Sequence, residues 1–136
     1  RSVNTVARLR AQRAASEKSA KESAAKAAKV EAERYAAIKT PMFDKDILPI
    51  IKQRCTECHG KDKQKGKLRM DSFAEFSKGA DGEKVVVPKD LAKSELYKRI
   101  NLPDNDDDRM PPKGNRVSKP VADLIKRWIE QGAKQK

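Results

Sequence analysis

The stretch Cys55-Thr56-Glu57-Cys58-His59 decides how this chain is interpreted. It places two thiols three positions apart and an imidazole directly after the second thiol. Thiols at this spacing can each reach one vinyl group of the same porphyrin, and the imidazole can then reach the iron as an axial ligand. His59 is the only histidine among the 136 residues, so no other imidazole competes for that role. The pattern is typical of covalent c-type haem attachment.

Paired cysteines also serve other purposes in proteins. Cys55 and Cys58 could form a disulfide, or they could act as a thioredoxin-like redox pair, but the pattern around them does not indicate the βαβ setting of such a pair. A structural zinc site would use both thiolates and His59, but the chain has no other cysteine or histidine to supply a fourth ligand. We therefore predict one covalently attached haem c per chain.

The composition limits the partners of this chain. Hydrophobic residues make up 37% and charged residues 38%, so a core of protein alone would be thin, and a porphyrin would add a large apolar body to it. The net charge of +12 permits nucleic acid, anionic lipid or an acidic protein as a partner. Nucleic acid is not expected, because the chain has neither a zinc-finger pattern nor an RNP-like aromatic cluster. No apolar run has the length of a membrane span.

Residues 1–40 form the first of two predicted regions. They contain no glycine or proline and are rich in Ala, Lys, Arg and Glu, which favour helix. The few larger apolar residues do not sustain a heptad pattern. We predict a long, charged, solvated helix. It could tether or position the second region, or it could be a charged linker with little to bind.

Residues 41–136 form the second predicted region, which is mostly helical with long loops. Thr40 is expected to cap a helix that leads into Cys55, and Pro49 should kink or split this helix. Ser72 and Ser94 are expected to cap two short helices. Ser118 is expected to open an amphipathic last helix. Apolar residues of that helix fall on one face: Val121, Leu124, Ile125, Trp128 and Ile129.

Several further motifs carry a family resemblance. They are Ile47-Leu48-Pro49, the C-x-x-C-H motif with Gly60, Lys65-Gly66-Lys67-Leu68-Arg69-Met70-Asp71-Ser72, Val87-Pro88, Ser94-x-Leu96, Met110-Pro111-Pro112-x-Gly114 and Trp128-Ile129-x-x-Gly132-Ala133. With these motifs, residues 42–134 resemble a class I-type cytochrome c. More narrowly, they resemble the small cytochrome domains of planctomycetes and related bacteria.

The resemblance implies a small all-α cytochrome c-like domain built around one haem, with His59 and Met110 as axial ligands. A methionine followed by two prolines also lies in a stiff segment that can hold its sulfur in place. Met42 and Met70 are the alternatives, and both are more easily interpreted as core residues. Val87-Pro88 is a candidate to supply a carbonyl acceptor for the His59 ring. Trp128 is expected to pack where the last helix crosses the first helix of the domain.

The function that the resemblance implies is single-electron transfer rather than catalysis. The expected location is periplasmic or otherwise extracytoplasmic, and because the chain begins at Arg1, an export signal or membrane tether is expected upstream. The lysines at 61, 63, 65 and 67 could dock an acidic redox partner, or they could be a solvated loop. Two alternatives remain: a haem subunit of a larger membrane-associated redox complex, and a haem peroxidase or gas sensor with an open distal site.

Overall fold

The computed structural model describes residues 2–56, 58–114 and 116–136. Its helices are α1 (Ser2–Ala36), a π-helical turn (Phe43–Ile47) that continues into α2 (Leu48–Arg54), a short 3-10 turn (Lys65–Lys67), α3 (Phe73–Ser77), α4 (Glu95–Ile100) and α5 (Lys119–Glu130). Within the described ranges there is no β-strand. The predicted all-α class is confirmed.

The chain divides into two compact units, Arg1–Arg34 and Tyr35–Lys136. The first unit contains α1 up to Arg34, and the last two residues of this helix belong to the second unit. With 35 residues, α1 is the longest helix described. Three of its larger apolar side chains, Val6, Leu9 and Val30, are 45%, 59% and 58% exposed. No apolar face of α1 is therefore buried at these positions. The prediction of a long, charged N-terminal helix is confirmed.

An aromatic cluster forms the centre of the second unit. The ring centroid of Phe43 lies 5.2 Å from that of Phe73, 5.5 Å from that of Phe76 and 5.8 Å from that of Trp128. Phe43 and Trp128 are fully buried. The predicted apolar face of α5 is also buried, since Val121, Leu124, Ile125, Trp128 and Ile129 all belong to the core. Trp128 therefore packs on the segment that opens the π-helical turn, as expected.

The C-terminal tail is hydrogen-bonded to residues of this cluster. The amides of Phe43 and Asp44 donate to the carbonyls of Lys134 and Gln135 at 2.8 and 3.1 Å. Trp128 Nε1 also donates to the Lys134 carbonyl, at 3.0 Å. The first and last segments of the second unit are therefore joined by backbone hydrogen bonds as well as by ring contacts.

The residues just after Arg34 belong to the second unit. Arg127 donates to the carbonyls of Tyr35 and Ile38 at 2.7 and 3.3 Å. Gln131 donates to the carbonyl of Lys39 at 2.7 Å. These side chains of α5 fix the chain that enters the second unit.

The starts of the helices only partly follow the predicted caps. Ser72 caps α3, since its Oγ accepts from the Glu75 amide at 3.2 Å. Pro49 lies in the first turn of α2, and the preceding turn is π-helical, so the predicted interruption at this proline is confirmed. The Thr40 cap is wrong: the N-cap is Met42, whose amide donates to the Asp46 carboxylate at 2.9 Å.

Candidate haem-binding site

The C-x-x-C-H motif occupies the turn that ends α2. The Cys55 amide continues the helix by donating to the Ile51 carbonyl at 2.8 Å. The Cys55 carbonyl then accepts from the amides of both Cys58 and His59, at 3.2 and 2.9 Å. Ile51 anchors the helix below the motif because its side chain is only 2% exposed. One backbone turn thus holds the two thiols and the imidazole together.

The loop that follows returns to this turn and fixes it. The Lys65 amide donates to the Cys58 carbonyl at 2.8 Å, and the Met70 amide donates to the His59 carbonyl at 2.7 Å. The Gly60 amide donates to the Lys63 carbonyl at 2.7 Å. With the first two bonds the backbone carbonyls of Cys58 and His59 acquire donors. The loop therefore limits how far the motif can move.

Gly60 is required by close packing inside the turn. A Cβ at this position would lie 2.4 Å from the Thr56 carbonyl oxygen, well inside van der Waals contact. The Thr56 hydroxyl in turn donates to the Lys52 carbonyl at 3.0 Å. The glycine after the histidine therefore allows the turn to close on itself.

Both cysteines are free thiols in half-buried positions. Burial raises the pKa of Cys55 to about 11, with a smaller increase from Cys58, although the charge of Arg54 acts in the opposite direction. The Cys55 thiol is therefore protonated at neutral pH. Because the thiolate is the reactive form in disulfide exchange, this environment disfavours closure of a Cys55–Cys58 disulfide.

His59 is held in the form that can ligate a metal. Burial lowers its pKa, the backbone of Leu68 and Lys65 raises it, and the charges of Arg99 and Lys65 lower it. The imidazole is therefore neutral at physiological pH and keeps a lone pair for a metal. In the described part of the chain, its buried Nδ1 has no hydrogen-bond partner. A buried nitrogen without a partner is unfavourable unless a ligand or another group binds it.

The expected acceptor for this ring, at Val87-Pro88, is used elsewhere. The Val87 carbonyl accepts from the Asp90 amide at 3.0 Å and lies 3.2 Å from Ser94 Oγ. The fully buried Ser94 hydroxyl also accepts from the Val87 amide at 3.0 Å and lies 2.7 Å from the Asp90 carbonyl. Ser94 is the N-cap residue of α4, as predicted, but its side chain makes no capping hydrogen bond. The expectation for the Val87 carbonyl is wrong, because Ser94 and Asp90 close this loop locally.

Met110 is held by the end of α4. Its side chain is half-buried against the core, and its amide donates to the Arg99 carbonyl at 3.1 Å. The charges of Arg99 and Lys65 both contribute to the lowered pKa of His59. The structure therefore fixes the Met110 backbone on α4.

The other two methionines have structural positions. Met70 is 1% exposed and is one of the largest fully buried side chains, and its amide is bound to the His59 carbonyl. Met42 is the N-cap of the π-helical turn. Both positions agree with the interpretation of these residues as core or helix-end residues.

The donor set fits a covalently held haem. Two free thiols and an imidazole with an unpaired buried nitrogen share one turn, and a thioether lies on a loop tied to the neighbouring helix. Residues 55–114 match the family model described as Planctomycete cytochrome C. Residues 55–114 are therefore similar to a planctomycete-type cytochrome c domain. The predicted resemblance is confirmed, and it indicates a c-type haem protein. Neither a curated protein nor a solved structure was found to match.

A charged loop follows the C-x-x-C-H motif. Residues 61–67 are exposed, and Lys67 forms an exposed ion pair with Asp81 at 3.5 Å.

The structure also bears on metal binding by side chains and on membrane insertion. Residues 2–56, 58–114 and 116–136 contain no group of three or more His, Cys, Asp or Glu side chains that could hold a metal ion. Among the helices described, none is long and apolar enough to cross a membrane.

Proposed function

We propose that this chain is a monohaem c-type cytochrome that transfers single electrons between redox partner proteins. Cys55 and Cys58 would hold haem c, and His59 and Met110 would be its axial ligands. The observation that carries the proposal is the turn after α2, where two free thiols accompany a half-buried imidazole whose buried Nδ1 has no partner among the described residues. The proposal is also supported by the family match, which extends from Cys55 to Gly114.

Each part of the chain has a distinct task in this proposal. The thiols of Cys55 and Cys58 would form thioethers with the porphyrin, and the raised pKa of Cys55 leaves less of that thiol as the thiolate that takes part in disulfide exchange. Haem supplies a one-electron ferrous–ferric couple when bound. Met110 would contribute a thioether, which would give a higher reduction potential than a second nitrogen ligand. With His59 and Met110 both bound to the iron, no coordination position would be left for a substrate, so we propose a carrier and not an enzyme.

The location and the partner follow from the same proposal. Haem c attachment requires export, so we propose a periplasmic or otherwise extracytoplasmic location. The exposed lysines 61, 63, 65 and 67 follow the haem motif directly. They would present positive charge to an acidic docking surface on the redox partner.

A second candidate is a haem subunit of a larger redox complex. The observation that favours it is α1, which has 35 residues and leaves Leu9 and Val30 more than half exposed. A helix of this kind could dock on another subunit. This candidate retains the haem site and changes only the context in which the electron moves.

Covalent attachment is the first experimental test. The chain is produced in a bacterial periplasm with a c-type maturation system, and haem is detected on the denatured polypeptide. We expect haem to remain on the wild-type chain and to be absent from the Cys55→Ser/Cys58→Ser double variant. A Ser16→Ala variant on exposed α1 is the control and should retain haem. A folded wild-type protein without covalent haem would contradict the proposal.

A further inference from the structure

The loop that carries Met110 contains a buried charge. Arg109 is 9% exposed and is the one charged side chain in the buried set of the described residues. Burying a guanidinium is unfavourable unless hydrogen bonds or an opposite charge compensate it. A buried arginine directly before the proposed ligand therefore requires an explanation.

The contacts of Arg109 reach across the methionine. Its Nη2 donates to the Pro112 carbonyl at 3.3 Å, so the side chain spans Met110 and Pro111. Its own amide donates to the Asp106 carbonyl at 3.2 Å. The guanidinium therefore joins the two ends of the short segment that presents the thioether.

Met110 is also held from the other side. Its amide donates to the Arg99 carbonyl of α4 at 3.1 Å. The residue thus lies between an anchor on its own amide and an anchor on the carbonyl two residues later. The Met110 side chain receives neither of these bonds, so its sulfur stays available as an acceptor or ligand.

The charge of Arg109 is only partly compensated. The Asp104 carboxylate lies 3.8 Å from Arg109 Nη1, is 77% exposed, and lies closer to Arg116, at 3.1 Å. An exposed and shared carboxylate screens a buried cation weakly. A net positive charge near the metal favours the ferrous over the ferric state.

We propose that Arg109 is a positioning residue that holds the Met110 sulfur where it can ligate the haem iron. This inference rests on the proposed function, because it requires Met110 to be the distal ligand. The bond to the Pro112 carbonyl fixes the loop, and the partly compensated charge raises the reduction potential.

The test compares three variants of the haem-loaded protein. Arg109→Gln removes the charge and the reach of the side chain, and Arg109→Lys keeps the charge. Arg116→Gln is the matched control, since Arg116 shares Asp104 but binds the Leu102 carbonyl instead of Pro112. Two quantities are measured. The first is the intensity of the weak sulfur-to-iron band in the ferric spectrum, divided by the concentration of haem in folded protein. The second is the reduction potential.

We expect Arg109→Gln to lower the ratio of Met-ligated to unligated haem about tenfold, as loss of one charge-assisted hydrogen bond would. The potential should fall in the same variant, Arg109→Lys should retain more of the band, and Arg116→Gln should match the wild type. A full band and an unchanged potential in Arg109→Gln would overturn the inference, even if the variant is less stable.

The wild-type spectrum separates this inference from the proposed function. A wild type that lacks the sulfur-to-iron band refutes Met110 ligation, and the role of Arg109 is refuted with it. A wild type that shows the band, together with an Arg109→Gln variant that keeps both the full band and the wild-type potential, refutes only the role of Arg109.

Discussion

Gly60 is the residue at which the haem motif tolerates least change. Its absent side chain leaves room for the Thr56 carbonyl, whose oxygen would lie 2.4 Å from a Cβ. We expect Gly60→Ala to destabilise the haem domain by about 1–3 kcal/mol, the usual cost of overpacking, and to reduce the yield of attached haem. Denaturant titration and haem quantification of the purified protein check this.

Gly66 provides a matched control in the same loop. It has a φ of +66°, and a Cβ at this position would meet no heavy atom of the described residues within 4 Å. Asparagine tolerates this left-handed conformation better than most residues, so Gly66→Asn should be nearly neutral. If Gly60→Ala were as stable as Gly66→Asn, close packing at Gly60 would not be what holds the turn.

The residues of the motif could be identified from the sequence because their chemistry is local. Cys55, Cys58 and His59 lie within one turn, so their spacing alone predicts that they meet. Arg109 gave no such signal. Its burial depends on a loop that folds back on the Pro112 carbonyl, and the sequence presents it only as one more basic residue.

At the scale of elements, the aromatic cluster joins the first and last helical segments of the second unit. Trp128 is fully buried and contacts both Phe43 and Phe76. We expect Trp128→Ala to lower the free energy of unfolding by about 3–5 kcal/mol, as is typical of large-to-small changes at buried aromatics. Trp128→Phe should cost less because it preserves the ring contacts. Chemical denaturation followed by circular dichroism gives both values, and an unchanged midpoint in Trp128→Ala would contradict the account.

The start of α3 gives a pH-dependent prediction. The side-chain hydrogen bonds from Arg69, at 2.9 and 2.6 Å, lower the pKa of Asp71 below its ordinary value of 3.8. A carboxyl whose pKa is depressed on folding stabilises the fold above its unfolded pKa, and this stabilisation is lost as the pH falls through the depressed value. Asp71→Asn should therefore lower the melting temperature slightly at pH 7, and the difference should vanish in strong acid.

The exposed pair between Lys67 and Asp81 serves as the control for this prediction. Both side chains are more than 70% exposed, and exposed ion pairs contribute little. Asp81→Asn should therefore leave the melting temperature unchanged both at neutral pH and in strong acid. A difference between Asp71→Asn and the wild type that persisted in strong acid would show that the carboxylate charge is not its cause.

The helices were largely predictable from the sequence, whereas their caps were not. The apolar face of α5 follows a helical period that any buried helix shows, and Ser72 caps α3 through a bond three residues away. Ser94 has the same side chain, but its hydroxyl is used by Val87 and Asp90. The residue type alone therefore does not predict whether a serine hydroxyl binds the first turn of the helix that follows it or a more distant group. The tertiary structure decides between these partners.

At the scale of the whole molecule, the boundary between the units gives a test by truncation. We expect removal of residues 1–34 to leave the melting temperature, the spectrum and the reduction potential of the haem domain unchanged, because the second unit begins at Tyr35. Removal of residues 1–40 should cost about 2–4 kcal/mol, since it deletes three carbonyls that bind Arg127 and Gln131 and the buried Tyr35 side chain. Thermal unfolding of both truncated proteins checks this.

The same pair of proteins addresses the alternative function. If α1 docks on a larger redox complex, removal of residues 1–34 should abolish co-purification with that complex while the haem spectrum stays intact. Equal stability of the two truncated proteins would instead show that Tyr35, Ile38 and Lys39 do not support the haem domain.

The distal side of the site could be predicted only through the family resemblance. Met110 lies about 50 residues beyond His59 in the sequence, and the structure ties its backbone to Arg99 at the end of α4. No local pattern reports such a connection, because loop closure over this distance depends on how α4 packs. Pro111 and Pro112 indicated that the segment after Met110 is stiff, but they did not indicate where the Met110 side chain lies relative to His59.

The absorption spectrum of the haem-loaded protein in both oxidation states tests the central claim most directly. It is measured for the wild type, Met110→Ala and the control Met70→Leu, whose methionine is buried in the core. We expect a low-spin wild type with the weak sulfur-to-iron band and no carbon monoxide binding, loss of the band in Met110→Ala, and its retention in Met70→Leu. A high-spin wild type that binds carbon monoxide readily would contradict electron transfer through a closed site and would favour a peroxidase or gas sensor.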